Sequence, residues 1–232
     1  MPRVTARNMG YALASNAAGY ISYPNGTYFT NLDAMTISLW CSFLPGYSTA
    51  ATYGLAAKRN GTDGFILDWN AGNFRFVQPG GGGFGEGSTY TLAPTPSVWY
   101  HVVGVFNGSS NQVFVNGVAA NKTNTSGSTV LGNTVALAVG SREGGSSKLP
   151  GAVDEFRAWD VALTADEIAQ LFQYGTVPYR DHLLFEWLMD ENTGSTAIDS
   201  SGNGRDGTIN TMAYIPSFTA ERQLATGRLG IS

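Results

Sequence analysis

The chain has 232 residues, of which 43% are hydrophobic and only 13% charged, with a formal net charge of -4 at pH 7. Its 13 Lys and Arg residues are scattered, which excludes the clustered positive charge that nucleic-acid binding requires. The 30 Gly and 9 Pro residues lie in short clusters between apolar runs, a pattern typical of many short strands joined by turns.

The first half of the chain is predicted to form strands and turns. We assign residues 1–9 to an N-terminal arm and residues 10–218 to one domain, because an all-β domain of this size folds by itself. Residues 35–40 alternate apolar and polar side chains, which predicts a strand with one buried face, and further strands are predicted at 64–69 and 74–77. The glycine-rich segment 79–87 has neither a helix nor a basic residue behind it, so it does not predict a phosphate-binding loop.

The second half contains the clearest local signals. Asn116 and Gly117 stand between apolar β-forming residues, which predicts a hairpin with a type I′ turn over residues 112–118. Strands are also predicted at 99–106, 136–140 and 153–159. Thr164 and Glu167 have the spacing of a capping box, which predicts one short helix over 165–174 that Gly175 ends. The predicted fold class is therefore all-β: two antiparallel sheets in a sandwich, with one short helix.

Several segments, taken in order, resemble the laminin-G-like, concanavalin A-like jelly rolls of extracellular and viral proteins. They are residues 35–40 (MTISLW), 99–102 (WYHV), 113–117 (VFVNG), 151–159 (GAVDEFRAW) and 162–168 (ALTADEI). The resemblance covers the chain from about Gly10 to Gly175 and implies a jelly roll of two sheets packed face to face.

The C-terminal part departs from this pattern. Residues 184–195 and 199–207 resemble the segment that normally begins such a domain, but here they come last. The size of the remainder, about 40 residues, is too small for a second sandwich core, so we predict a permuted strand within residues 183–209, followed by a tail at 219–232. Its alternation places Phe185, Trp187 and Met189 on one apolar face and Leu184, Glu186, Leu188 and Asp190 on a mixed face. The strand completes its own sandwich or that of a neighbouring copy, and both interpretations stay open.

No catalytic residues are predicted. Glycosidases of this fold need two carboxylates flanking the scissile bond, and the adjacent pairs Asp154-Glu155 and Asp190-Glu191 are expected to point to opposite faces of their strands. His101 and His182 lack the serine and histidine partners of nucleophilic or zinc chemistry. We therefore expect a protein that is not an enzyme, with a glycoside hydrolase as the least favoured alternative.

A structural calcium ion is the one cofactor that the sequence suggests. Asp199, Ser201 and Asn203 place oxygen atoms at alternate positions before a glycine, as a calcium loop does. The bidentate Glu of such loops is missing, so Asp206 or Asp154 would complete the site. The alternative is an Asx turn, in which these side chains bond their own backbone.

The predicted function is that of a non-catalytic binding or structural module. Tyr47, Tyr53, Trp69, Phe84 and Tyr90 lie in or beside loops and are the candidates for an aromatic sugar platform, although core packing is the stronger interpretation for Trp69.

The predicted setting is a virion: a phage decoration, fibre or adhesion protein that contacts glycans or partner proteins, with other virion proteins or further copies of the chain as possible partners. The alternative is a secreted or cell-surface carbohydrate-binding module. We find no signal peptide and no run of about 18 apolar residues, so we expect no membrane insertion and a location on the virion or outside the cell after lysis.

Overall fold

The computed structural model describes residues 11–24, 26–61, 63–78, 87–120, 124–125 and 132–216, where the chain forms strands and one α-helix. The predicted arm (1–9) and tail (219–232) lie outside the described residues. The strands are β1 (Tyr11–Asn16), β2 (Tyr20–Tyr23), β3 (Met35–Phe43), β4 (Thr52–Asn60), β5 (Asp63–Asn70), β6 (Asn73–Val77), β7 (Ser88–Thr91), β8 (Trp99–Phe106), β9 (Ser110–Val115), β10 (Val118–Ala119), β11 (Asn124–Thr125), β12 (Leu137–Val139), β13 (Pro150–Trp159), β14 (Leu183–Trp187), β15 (Thr196–Ala197), β16 (Gly207–Asn210) and β17 (Ala213–Pro216), and the helix is α1 (Ala165–Tyr174).

The strands form two sheets. Sheet A has the order β10-β9-β8-β3-β13-β1-β17, with β11 paired to β9 and β14 paired to β13, and sheet B has the order β15-β16-β2-β12-β4-β5-β6-β7. Each strand pairing within the described ranges is antiparallel. The predicted all-β sandwich of two antiparallel sheets is therefore confirmed.

The core lies between the sheets and is built from side chains that alternate onto their inner faces. Sheet A contributes Leu39 and Val102, and sheet B contributes Phe65 and Leu67, all fully buried. Cys41 also lies in this core, where burial raises the pKa of its thiol. A buried thiol of this kind packs as a small apolar side chain.

Helix α1 begins and ends where its sequence predicts. The Thr164 side chain accepts a hydrogen bond from the Glu167 backbone, Glu167 caps the Thr164 backbone in return, and Gly175 ends the helix in the left-handed conformation. Ile168 and Leu171 pack, together with Trp159, into a second apolar cluster on the outer side of sheet A. The predicted hairpin is also confirmed, because Asn116 and Gly117 both have positive φ between β9 and β10.

The C-terminal strand β14 is part of sheet A in the same chain. It pairs with residues 156–159 of β13, whereas β1 pairs with residues 150–153 on the same side, so β14 and β1 follow each other end to end. The backbone N–H of Tyr11 donates to Asp190 at 2.9 Å and ties the two strands together. Phe185, Trp187 and Met189 are fully buried. That this strand is permuted relative to other members of the fold stays a prediction.

A β-bulge interrupts β13 at the junction of β1 and β14. The register of β13 against β3 shifts between Asp154 and Arg157, and Glu155 adopts a left-handed backbone conformation with φ of 46°. The strict alternation that the sequence predicted for Asp154 and Glu155 is therefore wrong here, because the bulge adds a residue. Glu155 bonds Arg157, which in turn bonds Glu186 of β14 at 2.9 Å. The face of β14 expected to be mixed thus contains a buried carboxylate.

Candidate functional site

The outer face of sheet B carries two parallel rows of polar side chains at the end where β5 and β6 form a hairpin. Phe65, Leu67 and Trp69 of β5 face the core, so the residues between them face outwards. Register places Asp68 opposite Arg75, and Arg75 opposite Thr89; it likewise aligns Thr52, Asn70, Asn73 and Thr91. We call this set, with Arg142, the polar face: Thr52, Asp68, Asn70, Asn73, Arg75, Thr89, Thr91 and Arg142.

Asp68 organises the polar face. Its carboxylate is fully buried and accepts from Arg75 through Nε at 3.1 Å and Nη2 at 2.9 Å. Arg142 donates to the same carboxylate through Nε at 3.1 Å and also through Nη2. The arginine side chains themselves stay 17% and 19% exposed. One buried carboxylate therefore fixes two guanidinium groups at the surface, and each keeps Nη1 outside these bonds within the described structure.

Arg142 reaches Asp68 because its backbone segment crosses Gly54 of β4. The Gly54 N–H donates to the Ser147 carbonyl at 2.8 Å. A Cβ atom at position 54 would lie 2.0 Å from the backbone N of Arg142, so only glycine allows this approach. The neighbouring Glu143 forms an ion pair with Arg59 at 3.6 Å.

Four residues of one aromatic row, including the platform candidates Tyr53, Trp69 and Tyr90, lie on the inner face of sheet B, opposite to the polar face. Register aligns Tyr53, Trp69, Phe74 and Tyr90 in one row across β4, β5, β6 and β7, and this row lies on the core side. Trp69 is fully buried, so it cannot contact a ligand at the surface, and its core-packing interpretation is confirmed. Sequence reasoning placed these rings near loops but could not assign their face, which depends on strand register.

The remaining platform candidates also serve packing. Tyr47 lies half-buried against Phe43, with ring centroids 4.8 Å apart, and its hydroxyl donates to the Pro94 carbonyl at 2.6 Å. The Tyr53 hydroxyl accepts from the Ser48 backbone at 3.0 Å. Phe84 lies outside the described residues. Whether the half-buried Tyr47, Tyr53 and Tyr90 contact a ligand stays a prediction.

The predicted calcium loop forms a network of hydrogen bonds with its own backbone. The two carboxylate oxygens of Asp199 accept from the backbone of Glu186, Ser201 and Arg205 and from the Ser201 hydroxyl, at 2.8 to 3.1 Å. Asn203 donates to the Leu183 carbonyl, and Asp206 accepts from the Asp199 backbone. Asp154 accepts from the Glu155 backbone. The bonds of Asp199 are those of an Asx turn, the alternative interpretation of this loop. Calcium binding here stays a prediction from the sequence.

Ser38 and His101 form a buried polar contact that the sequence did not predict. Ser38 Oγ lies 2.8 Å from His101 Nε2 across two strands of sheet A. Both residues are at most 1% exposed, and the rings of Trp40 and Phe172 lie over the imidazole. The pair therefore forms a buried structural hydrogen bond, and the serine hydroxyl is not accessible to act as a nucleophile.

Comparison with known proteins identifies the family. A laminin G family model, described as the concanavalin A-like lectin/glucanases superfamily, matches residues 15–169, more than half of the chain. The chain belongs to this superfamily. No curated protein sequence matches it. None of the helices among the described residues has the length and apolarity to cross a bilayer.

Solved structures share the fold at low sequence identity. A candidate carbohydrate-binding protein from Bacteroides ovatus superposes with a TM-score of 0.67 at 18% identity, covering 90% of this chain and 60% of that one. The binding domain of a Paraclostridial mosquitocidal protein has a TM-score of 0.47 at 16% identity, covering 65% of this chain and 38% of that one. The binding domain of botulinum neurotoxin DC has a TM-score of 0.48 at 13% identity, covering 61% and 35%. This chain thus spans at most 60% of these proteins.

Proposed function

We propose that the protein is a non-catalytic carbohydrate-binding module and that the polar face of sheet B is its sugar-binding surface. The observation that carries the proposal is the pair of guanidinium groups of Arg75 and Arg142, both fixed by the buried Asp68. Donors that are already fixed lose little side-chain freedom on binding, so more of their interaction energy becomes affinity. Membership of a superfamily that includes lectins supports this function.

The row beside the arginines suits sugar hydroxyls. Thr52 donates to the Asn70 amide oxygen at 2.7 Å, and Thr91 donates to the Asn73 amide oxygen at 2.6 Å. Each threonine thus orients an amide, whose NH₂ group is a donor for a hydroxyl oxygen. The row lies next to Arg75 across the hairpin, so one ligand can contact amides and a guanidinium together.

The charges of the polar face favour a glycan that carries an acidic group. Among the described side chains of this face, two guanidinium groups share one carboxylate and the nearby Arg59 is paired with Glu143, so one positive charge is in excess. Guanidinium groups bind carboxylate, sulfate and phosphate oxygens with paired hydrogen bonds. We therefore expect sugars with a carboxylate or sulfate to bind more tightly than neutral ones.

The same geometry argues against catalysis at this face. Asp68 is fully buried beneath two guanidinium groups, so its carboxylate is not within reach of a substrate at the surface. Glycoside hydrolysis requires two carboxylates about 5 to 9.5 Å apart across the bond, and Glu143, the other described carboxylate beside the face, is paired with Arg59.

A glycan array probed with the wild type and three variants tests the proposal. Arg142→Ala removes one of the two fixed donors, and Arg142→Lys keeps its charge but not its paired geometry. Arg180→Ala removes an exposed guanidinium that precedes β14 of sheet A and lies outside the polar face. We expect acidic glycans to bind, Arg142→Ala to weaken them at least about tenfold, Arg142→Lys to weaken them less, and Arg180→Ala to have no effect. Binding should fall with added salt.

Binding that Arg142→Ala leaves unchanged would overturn the assignment of the polar face. An array on which no glycan binds the correctly folded wild type would overturn the function itself.

The proposal extends to where this binding takes place. We take a virion-associated role, as a decoration, fibre or adhesion protein, as the leading setting, and a secreted or cell-surface module as the alternative. Both use the same polar face. Sedimentation of the protein with purified virus particles supports the first setting, and recovery in a particle-free culture medium supports the second. The solution mass of the chain tests the predicted self-association.

A further inference from the structure

An exposed tyrosine lies on the opposite side of the molecule from the polar face, between α1 and β14. Tyr179 is 48% exposed and adopts a left-handed backbone, with φ of 45° and ψ of 58°. A bulky residue in this conformation is strained, and such strain persists only where surrounding contacts hold it.

Contacts of Tyr179 and of the preceding Pro178 hold this segment in place. The indole of Trp159 donates to the carbonyl of Pro178 at 2.9 Å, and the Tyr179 carbonyl accepts from the His182 backbone at 2.9 Å. The Tyr179 hydroxyl bonds the Glu167 carboxylate of α1, and this bond raises the pKa of Tyr179. The backbone at Tyr179 is therefore held by hydrogen bonds, while about half of the side chain faces solvent.

Hydrogen-bonding groups stand beside this ring. His182 Nδ1 lies 2.8 Å from Asp160 Oδ1, and the imidazole meets the tyrosine edge-on with centroids 6.2 Å apart. The His182 and Asp160 side chains are 44% and 37% exposed. Because a carboxylate accepts, Nδ1 donates in this bond, and Nε2, which lies 4.0 Å from Asp181 Oδ2, is the ring nitrogen that remains for a ligand.

We propose that Tyr179, His182 and Asp160 form a second binding site that takes a neutral pyranose ring. The apolar C–H face of the sugar would stack on Tyr179, while vicinal hydroxyls form hydrogen bonds with His182 Nε2 and donate to the Asp160 carboxylate. The site shares its general ligand class with the proposed function but not its residues or its charge preference. Three carboxylates, those of Asp160, Asp181 and Glu167, outnumber the guanidinium of Arg180 around the ring, which disfavours the acidic sugars expected at the polar face.

The size of the surface favours a sugar over a protein partner. A stable protein interface buries about 800 Å² on each side around an apolar centre. Tyr179 offers one ring with charged neighbours, including Asp181 and Arg180, which are 84% and 58% exposed. One aromatic face with hydrogen-bonding groups at its edge matches a pyranose, which has an apolar C–H face and hydroxyl groups around its rim.

Saturation-transfer NMR with the full chain and neutral methyl glycosides tests the site. The probes are the methyl glycosides of glucose, galactose, mannose and N-acetylglucosamine at millimolar concentration. Tyr179→Gly removes the ring and relieves the left-handed strain, so folding should be preserved. Asp160→Ala removes an acceptor and leaves the ring. Tyr174→Ala is the matched control, since Tyr174 is 50% exposed at the end of α1, five residues before Tyr179.

We expect transfer to at least one glycoside, weakened at least about fivefold by Tyr179→Gly and less strongly by Asp160→Ala. Tyr174→Ala and Arg142→Ala should leave it unchanged. The site is overturned if no glycoside shows transfer, if Tyr174→Ala weakens it as much, or if Arg142→Ala abolishes it, since the ligand would then belong to the polar face. Failure here leaves acidic-glycan binding at the polar face intact, and the reverse also holds.

Discussion

Lys58 shows how a single buried charge links the fold to pH. Its side chain is 2% exposed and donates through Nζ to Asn133 O, Asn133 Oδ1 and Val135 O at 2.8 to 3.0 Å. These three acceptors are uncharged, and burial lowers the pKa of Lys58 to about 8. The unfolded chain keeps the ordinary pKa near 10.4. Between these values the unfolded state binds more protons, so stability rises with pH.

The first prediction concerns this pH dependence. The urea midpoint of the wild type should rise from pH 7.5 to pH 9.5, the range that begins near the folded pKa of about 8. Lys58→Met, which cannot titrate, should remove this rise. Both proteins carry the same 11 tyrosines, so tyrosine ionisation contributes equally to both and the difference between them reports Lys58. Equal slopes for the two proteins would contradict the account.

At the residue scale, part of the site could have been predicted from the sequence. Asp68 interrupts an apolar strand, and the Ala71-Gly72 turn brings Arg75 opposite it, so that pair follows from hairpin geometry. Arg142 could not be found this way, because 74 residues separate it from Asp68. Its approach depends on the space above Gly54, which no local pattern encodes.

At the scale of elements, β14 is held to β13 by a line of alternating charges. Glu186 accepts from Arg157 Nε at 2.9 Å and from Arg180 Nη2 at 2.6 Å, and Arg157 also bonds Glu155. Arg157 and Glu186 are buried, whereas the Arg180 side chain is 58% exposed. Burial makes the inner pair costly to break and the outer pair nearly neutral.

The second prediction compares these two pairs. Glu186→Gln leaves the buried Arg157 with one charged partner and should lower the free energy of unfolding by about 3 kcal/mol. Arg180→Ala removes an exposed partner and should cost less than about 1 kcal/mol. Denaturant titrations of the two variants at neutral pH measure the difference. Equal losses would mean that Arg157 does not depend on Glu186.

The third prediction concerns the loop at 199–206. Because the Asp199 carboxylate is used by donors of its own loop and of β14, we expect the same melting temperature in chelator and in millimolar calcium. A rise of the melting temperature in calcium, lost in Asp199→Asn, would instead support the calcium site predicted from the sequence.

Elements differ in how far their sequence determines them. Helix α1 and the hairpin at Asn116-Gly117 follow from contiguous residues whose caps and turn are local. The aromatic row of Tyr53, Trp69 and Tyr90 follows from the register of four strands, so the sequence located the residues but missed their face. The bulge at Glu155 depends on where β1 meets β14, which is equally non-local.

At the scale of the whole molecule, the C-terminal part contributes strands to both sheets. β14 joins sheet A beside β13, β17 joins it beside β1, and β16 joins sheet B between β15 and β2. Phe185 packs in the core against Phe29, Phe156 and Trp187, with ring centroids 5.6 to 6.4 Å apart. Without this part, both sheets lose strands and one side of the core is exposed to solvent.

The fourth prediction is that a chain ending at Gly175 does not fold. Burial of Phe185, Trp187 and Met189 contributes on the order of 5 to 8 kcal/mol, comparable with the net stability of a domain. The shortened chain should aggregate or lack a cooperative melt in circular dichroism, and a peptide of residues 183–216 should restore it. A soluble, monomeric shortened chain that melts near the full-length temperature would show that the segment is an appendage.

The central claim is that a glycan binds the polar face of sheet B. Hydrogen–deuterium exchange with the tightest acidic glycan from the array locates the bound surface directly. We predict slower exchange in the β5–β6 hairpin at residues 63–77 and in the crossing segment at 141–147, with no change in β13 or α1, and no protection in Arg142→Ala. Protection confined to sheet A, or to the loop of Tyr47, would contradict the claim.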